Sequence, residues 1–147
     1  MEKRKLLIII DIILFFSILA LIFLLSLTRS GLRLVIEPSY LKLGIGENRT
    51  VYLYAINPTS IEYNVDYIEV EVIHYDANGN EILRQHGIID NEFAKSRGRE
   101  LTTTIPPKSK TKLFFFIYGK LAPGKLVEKF TLVTKEGLNS TATFILE

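Results

Sequence analysis

His74 and His86 are the residues of this 147-residue chain best suited to chemistry. Imidazole is the commonest metal ligand and the side chain that exchanges a proton near neutral pH. Both lie in the stretch NVDYIEVEVIHYDANGNEILRQHG, residues 64–87. There Asn78-Gly79 suits a two-residue type I′ hairpin turn, whose central residues both take positive φ. That turn pairs Ala77 with Asn80, so Tyr75 faces Ile82, Ile73 faces Arg84 and Glu71 faces His86. Ile68, Val70, Val72 and Leu83 then share a core face, and Glu69, Glu71, Arg84 and His86 share the other. The two histidines fall on opposite faces, whereas a shared metal needs converging ligands. His74 reads as an edge residue near the turn, and His86 as an outer-face residue beside Glu71. Asp66, Asp76 and Asp90 are scattered, and no GxSxG elbow, P-loop, GxGxxG or EF-hand loop is present. The chain has no cysteine, so disulfides, thiolate metal sites and cysteine nucleophiles are excluded. The expectation is a protein without catalytic residues, cofactor or metal.

Binding chemistry is better represented. KSRGR places Lys95, Arg97 and Arg99 in one segment, which suits contact with lipid headgroups or an acidic partner, or a merely solvated loop. In LFFFIY, period two points Leu113, Phe115 and Ile117 inward. Phe114, Phe116 and Tyr118 then point outward, joined by Tyr52 and Tyr54 from another strand. An exposed aromatic face of that kind binds a protein partner. A strand covered on both sides fits the same apolar run. Asn48 (NRT) and Asn139 (NST) head N-glycosylation sequons at predicted turns, whereas NPT at 57–59 is blocked by its proline.

These groups must be held by the rest of the chain. Residues 6–27, LLIIIDIILFFSILALIFLLSL, form an apolar run of about 33 Å as a helix, enough to cross a hydrocarbon core of about 30 Å. The run is longer than a cleaved signal peptide needs, and the flank offers only Ser26-x-Thr28 or Thr28-x-Ser30 for cleavage. The reading is a retained signal-anchor at 6–27, with a cytoplasmic tail at 1–5, a linker at 28–33 and an outer domain at 34–147. Lys3, Arg4 and Lys5 before the run outnumber Arg29 and Arg33 after it, which puts the N-terminus in the cytoplasm and the domain outside. Asp11 sits near the cytoplasmic end, where it either reaches the headgroup region or is protonated; the other reading is a polar contact with a second membrane helix.

From Leu32 onward the chain carries 14 Lys and Arg against 14 Asp and Glu, once Lys3, Arg4, Lys5, Arg29, Glu2 and Asp11 are set aside. A neutral domain lacks the basic stripe that nucleic acid requires. High Ile, Lys and Glu content, one Met and no Cys lean towards a thermophile. Strands are predicted at 33–37, 40–43, 50–57, both arms of the 64–87 hairpin, 100–105, 111–119, 125–134 and 140–147. Residues 87–100 read as a long loop or crossover, with no amphipathic helix. Eight or nine short strands with regular turn signals argue for an antiparallel β-sandwich.

IEPSYLKLGIGENRTVYLYAINPTS and IPPKSKTKLFFFIYGKLAPGKLVEKFTLVT resemble the two halves of immunoglobulin-like modules on archaeal and bacterial surface proteins. AINPTSIEYNVDYIEVEVIHYDANGNEILRQHG is also similar to the late-embryogenesis-abundant type 2 (WHy) domain, through Asn-Pro after a strand and a glycine-turn hairpin. Either resemblance implies a non-catalytic sandwich. The expectation is thus mainly β: an N-terminal transmembrane helix, then an immunoglobulin-like sandwich that binds a protein partner or supports a surface assembly. A stress-protective domain, a pilin-like filament subunit and a metal-binding or enzymatic accessory domain are the alternatives.

Overall fold

Stretches with one apolar side per two residues become strands because only an extended chain turns alternate side chains to a common face. The computed structural model describes residues 2–29 and 31–147. Ser30, within the predicted linker, lies outside the described residues, as do Met1 and the side chains of residues 2 and 23–29, Arg29 included. The chain forms two compact units, Met1–Gly31 and Leu32–Glu147.

In the first unit, one helix, α1, runs over Glu2–Arg29. It is the one helix among the described residues that is long and apolar enough to cross a membrane, over Lys3–Ile22, and none of that window is buried. Ser17 donates its hydroxyl to the Ile13 carbonyl one turn back, at 2.8 Å, so this polar group is satisfied within the helix.

In the second unit, nine strands build two sheets. They are β1 (Arg33–Glu37), β2 (Tyr40–Leu41), β3 (Asn48–Asn57), β4 (Tyr63–Tyr75), β5 (Glu81–Ile89), β6 (Thr104–Ile105), β7 (Ser109–Gly119), β8 (Lys125–Thr134) and β9 (Asn139–Leu146). The smaller sheet has the order β1-β3-β7; the larger has β2-β9-β8-β4-β5, with β6 beside the start of β4. All pairs are antiparallel except β2 with β9. The chain therefore leaves one sheet after β1, passes the cis Glu37–Pro38 bond, and joins the other sheet as β2. The protein is mainly β, with its two sheets packed as a sandwich.

The seam between the sheets is filled by alternate residues from both. Val51, Leu53 and Ala55 of β3 face Phe130 and Leu132 of β8 and Phe144 of β9, all buried. That is the alternation expected for β3, with Tyr52, Tyr54 and Ile56 outside, and for β9, with Ala142, Phe144 and Leu146 inside. A buried polar residue closes one end. The Asn57 amide donates to the carbonyls of Ile61 (2.7 Å) and Pro106 (3.0 Å), and its oxygen accepts from the Thr59 backbone and hydroxyl. Every polar atom of that side chain is satisfied, as burial demands.

Three expectations are corrected here. First, β7 carries an extra residue opposite the Leu53/Tyr54 step of β3, a β-bulge. Beyond it the parity is reversed: Phe114, Phe116 and Tyr118 turn into the seam, and Phe115 and Ile117 turn out. Leu113, the bulged residue, is buried too, so only the part of the strand before Phe114 keeps the predicted facing. Second, the Asn78-Gly79 turn is not type I′. Only Gly79 has positive φ (82°), the Gly79 amide bonds the Asp76 carbonyl at 3.1 Å, and Tyr75 pairs with Glu81 rather than Ile82. This is a three-residue loop, a type I turn with a glycine bulge. Asp76 fixes it by accepting from the amides of Asn78 and Asn80, at 2.9 Å each. From His74, paired with Leu83, downwards the predicted register holds. Third, residues 87–100 are not one loop. β5 runs to Ile89, and a short helix, α2 (Asn91–Ser96), follows, capped by the Asp90 side chain on the Phe93 amide at 2.8 Å. The strand predicted at 100–105 shrinks to β6.

Gly124 marks the tightest backbone approach. Its φ is 129°, and a Cβ there would lie 2.3 Å from the Tyr75 carbonyl oxygen. Gly124→Ala is expected to destabilise the sandwich by about 1–3 kcal/mol, from left-handed backbone and overlap together. Gly79→Ala, with open space around its Cβ, loses only about 1 kcal/mol. Paired urea melts check the order; equal losses would contradict the overlap.

Candidate binding surfaces

The register separates the two histidines as expected. His86 pairs with Glu71 on the outer face, and His74 pairs with Leu83 on the inner. Among the described residues no three His, Asp or Glu side chains converge as a metal site. The outer face around His86 is instead an ion-pair cluster. Arg84 reaches Glu81 and Glu71 at 2.7 Å each, and the His86 Nδ1 lies 3.8 Å from Glu71.

The outer face of the smaller sheet is aromatic and cationic. Tyr52, Tyr54 and Phe115 lie side by side, with centroids 6.1 and 6.3 Å apart. A cation covers each ring: Lys112 over Tyr52 (4.6 Å), Lys110 over Tyr54 (4.6 Å) and Arg99 over Phe115 (4.4 Å). Such contacts contribute about 0.5–1 kcal/mol each at exposed sites. Lys110 also pairs with Glu37 at 2.6 Å. Of the five aromatic residues assigned to a partner surface from the sequence, Tyr52 and Tyr54 are on it. Phe114, Phe116 and Tyr118 belong to the seam, and Phe115 takes their place outside.

The basic trio is dispersed rather than presented as one loop. Lys95 is exposed in the last turn of α2. Arg97 caps that helix and stacks over Phe93 at 5.3 Å. Arg99 is half-buried and donates to the Phe115 carbonyl at 2.8 Å. Asn48 and Asn139 are the exposed first residues of β3 and β9, next to turns. Asp11 lies on α1 among Ile8, Ile12, Phe15 and Phe16, all exposed.

Two features escaped the sequence reading. One is a carboxyl group inside the seam. Glu128 of β8 is buried, and the Tyr118 hydroxyl donates to it across the two sheets. The Tyr118 ring also packs on Phe144 at 4.5 Å. Burial pushes the Glu128 carboxyl above its ordinary range, partly opposed by the Tyr118 hydrogen bond. Burial, then the nearby Glu128 charge, pushes the Tyr118 phenol up. The signal was legible: Leu126, Glu128, Phe130 and Leu132 share one parity, so the glutamate lies on an apolar face.

The other is β5. It is the last strand of the larger sheet, with no neighbour on its outer edge among the described residues. The smaller sheet is three strands wide and does not reach over it. Residues 81–88 are exposed on both faces, with Ile82 65 %, Leu83 46 % and Ile88 53 % accessible. Leu83 therefore points to the predicted side without finding a core. Below it a groove opens between the sheets, lined by Val72, Gln85, Phe93, Phe116 and Glu128.

The Glu128 assignment fixes a pH dependence. A carboxyl with a raised folded pKa stabilises fully below its unfolded value, about pH 4.3, and loses that contribution as pH rises through the folded value. Glu128→Gln is expected to gain stability relative to the parent as pH rises above about 4.3, and to match it below. Tyr118→Phe leaves the carboxyl without its donor and destabilises by about 1–3 kcal/mol. Denaturation of both variants from pH 4 to 8 (about the native range) reads this; a pH-independent difference for Glu128→Gln contradicts it.

No family model and no curated protein matches the chain. Among solved structures it is similar to Spo0M, the sporulation control protein from Bacillus subtilis, at 15 % identity and TM-score 0.43. That match covers 80 % of this chain and 49 % of Spo0M, so the chain spans about half that protein's length. It is similar to a structural-genomics target, SoR45, at 18 % identity and TM-score 0.46, over 78 % of this chain and 84 % of that one. It is also similar to CsgH of R. palustris, at 8 % identity and TM-score 0.35, over 76 % and 89 %.

Proposed function

We propose that the chain is a non-catalytic, single-pass membrane protein whose sandwich lies outside the cytoplasm and binds a protein partner. The observation that carries this reading is β5: an edge strand paired on one side only among the described residues, exposed on both faces, with isoleucine and leucine side chains. An edge of that kind recruits another strand, because its backbone donors and acceptors lack partners within the fold. The apolar window of α1 supports the membrane assignment, and the three basic residues before it support an inside N-terminus. The strand order, with the chain passing from β1 in one sheet to β2 in the other, supports an immunoglobulin-like sandwich. In this reading Tyr52, Tyr54 and Phe115, with their three cations, form a second contact face, and Lys95 and Arg97 supply cationic contacts to an anionic surface.

A photo-reactive residue at Ile88, in native membranes, is expected to yield a discrete protein adduct. The same residue at exposed Lys42, beyond β2 on the opposite side of the larger sheet, is expected to yield none. The intact mass of the washed-membrane protein is expected to retain residues 1–27. Equal adduct patterns at both positions would remove β5 as the binding edge. A mass lacking everything before about Gly31 would remove the anchor.

A further inference from the structure

The two sheets differ in charge. β1, β3 and β7 together carry four basic residues, Arg33, Arg49, Lys110 and Lys112, against one acid, Glu37. Histidine apart, the strands of the larger sheet and β6 carry three basic residues against five acids. Most of the positive charge of the smaller sheet lies on its aromatic outer face. Arg33 and Glu37 point outward from β1, since Leu34 and Ile36 between them are buried. Lys110 and Lys112 pair with Ile56 and Tyr54, both in the outward row of β3. Arg99 joins them over Phe115. Four cations and one carboxylate therefore share a face with two tyrosines, Phe115 and Ile117. Glu37 engages Lys110 alone; among the described residues Arg33, Lys112 and Arg99 form no ion pair.

We infer that this face docks on anionic lipid headgroups. This rests on the membrane reading of α1 and names what the second contact face touches. Tyrosine, lysine and arginine suit a membrane surface for a physical reason. A phenol has an apolar ring and a polar tip, and a long basic side chain lies along apolar surface while its charge stays in water. Lys112 and Lys110 do this over Tyr52 and Tyr54. Each basic residue held near an anionic bilayer strengthens binding about fivefold.

The chain's own connectivity favours lipid over a soluble polyanion. α1 ends at Arg29 and β1 begins at Arg33, so at most about 14 Å of extended chain separates the two residues. Arg33 is itself a cation of the face. A bilayer that holds α1 therefore offers headgroups within reach of β1 at high effective concentration. The outer face of the larger sheet, where Glu69 and Glu71 lie beside Arg84 and Lys129, has no such excess of one sign.

The test uses the full-length chain in vesicles. The chain has no cysteine, so one introduced thiol can carry a polarity-sensitive fluorophore alone. Ile117→Cys places it on the cationic face, at a side chain 58 % accessible, and Thr143→Cys places it on the exposed outer face of the larger sheet. In phosphatidylcholine vesicles with about three parts in ten phosphatidylglycerol, the Ile117 probe is expected to shift to the blue and the Thr143 probe is not. In phosphatidylcholine alone neither is expected to shift. Salt at about 0.5 M is expected to abolish the shift, because charges are then screened within about 5 Å. Lys110→Glu with Lys112→Glu is expected to lower the docked-to-undocked ratio about twentyfold or more. Lys125→Glu with Lys129→Glu, the same charge change on the larger sheet, is expected to leave it unchanged. An unshifted Ile117 probe in a chain that resists carbonate extraction overturns the inference and leaves the anchor standing. Equal shifts with and without phosphatidylglycerol, or equal losses from the two lysine pairs, also overturn it. So does a shift produced by a soluble acidic polysaccharide and by no vesicle. A chain that carbonate extracts has no anchor; a probe that still shifts then keeps the face, and an unshifted one removes both.

Discussion

Parity is the constraint on which this sandwich depends. A strand gives alternate side chains to its two sides, so a single inserted residue exchanges core for surface along everything beyond it. The bulge in β7 does this at Leu113. It lets Leu113 and Phe114, adjacent in sequence, both be buried. It then sends Phe116 and Tyr118 inward, where they meet Phe130 and Phe144, with centroids 5.7 and 4.5 Å away. The same exchange puts Phe115 outside, beside Tyr52, and gives Arg99 a ring to cover. Core and outer aromatic face are thus two results of one extra residue.

The second organising fact is that the sheets are unequal in width. Three strands cannot cover five, so the larger sheet overhangs at β5. On the opposite side the chain closes the gap itself. β2 crosses over to β9, with backbone bonds from Leu43 to Glu147 and from Glu147 to Leu41 at 2.8 Å each. On the β5 side, α2 and the segment after it fill only part of the gap. The Thr102 amide reaches the Leu113 carbonyl at 3.0 Å, and Arg99 reaches the Phe115 carbonyl. Beyond Phe115 the groove stays open, and Glu128 lies at its floor. A carboxyl group is tolerated there because Tyr118 supplies a donor from the facing sheet, without which burial of the group carries its full desolvation penalty.

Most strands were legible because they are half-buried and alternate. β3, β8 and β9 announce their facing through Val51, Leu53 and Ala55, through Phe130 and Leu132, and through Phe144 and Leu146. The hairpin register was legible from Asn78-Gly79 to within one residue at its tip, where Asp76 collects two amides and lengthens the loop. What was not legible depends on partners distant in sequence. Nothing within LFFFIY signals a bulge; it exists because β3 opposes the strand. α2 has six residues, too few for a helical period, and only Asp90 three residues before Phe93 hints at it. The exposure of Leu83 follows from the width of a sheet to which it does not belong.

The passage of the chain from β1 in one sheet to β2 in the other has a mechanical meaning. β1 is the segment through which α1 is connected to the sandwich, and its five residues pair with β3 from Arg33–Ile56 to Glu37–Tyr52. A pull on the chain at Arg33 along the strand direction acts at right angles to those hydrogen bonds. It loads the five pairs together, in shear, instead of opening them one after another. Behind them β2 is bonded in parallel to Ile145 and Leu146 at the other terminus of the domain. Tension entering at the N-terminus is therefore shared between both sheets before any strand is peeled from an edge.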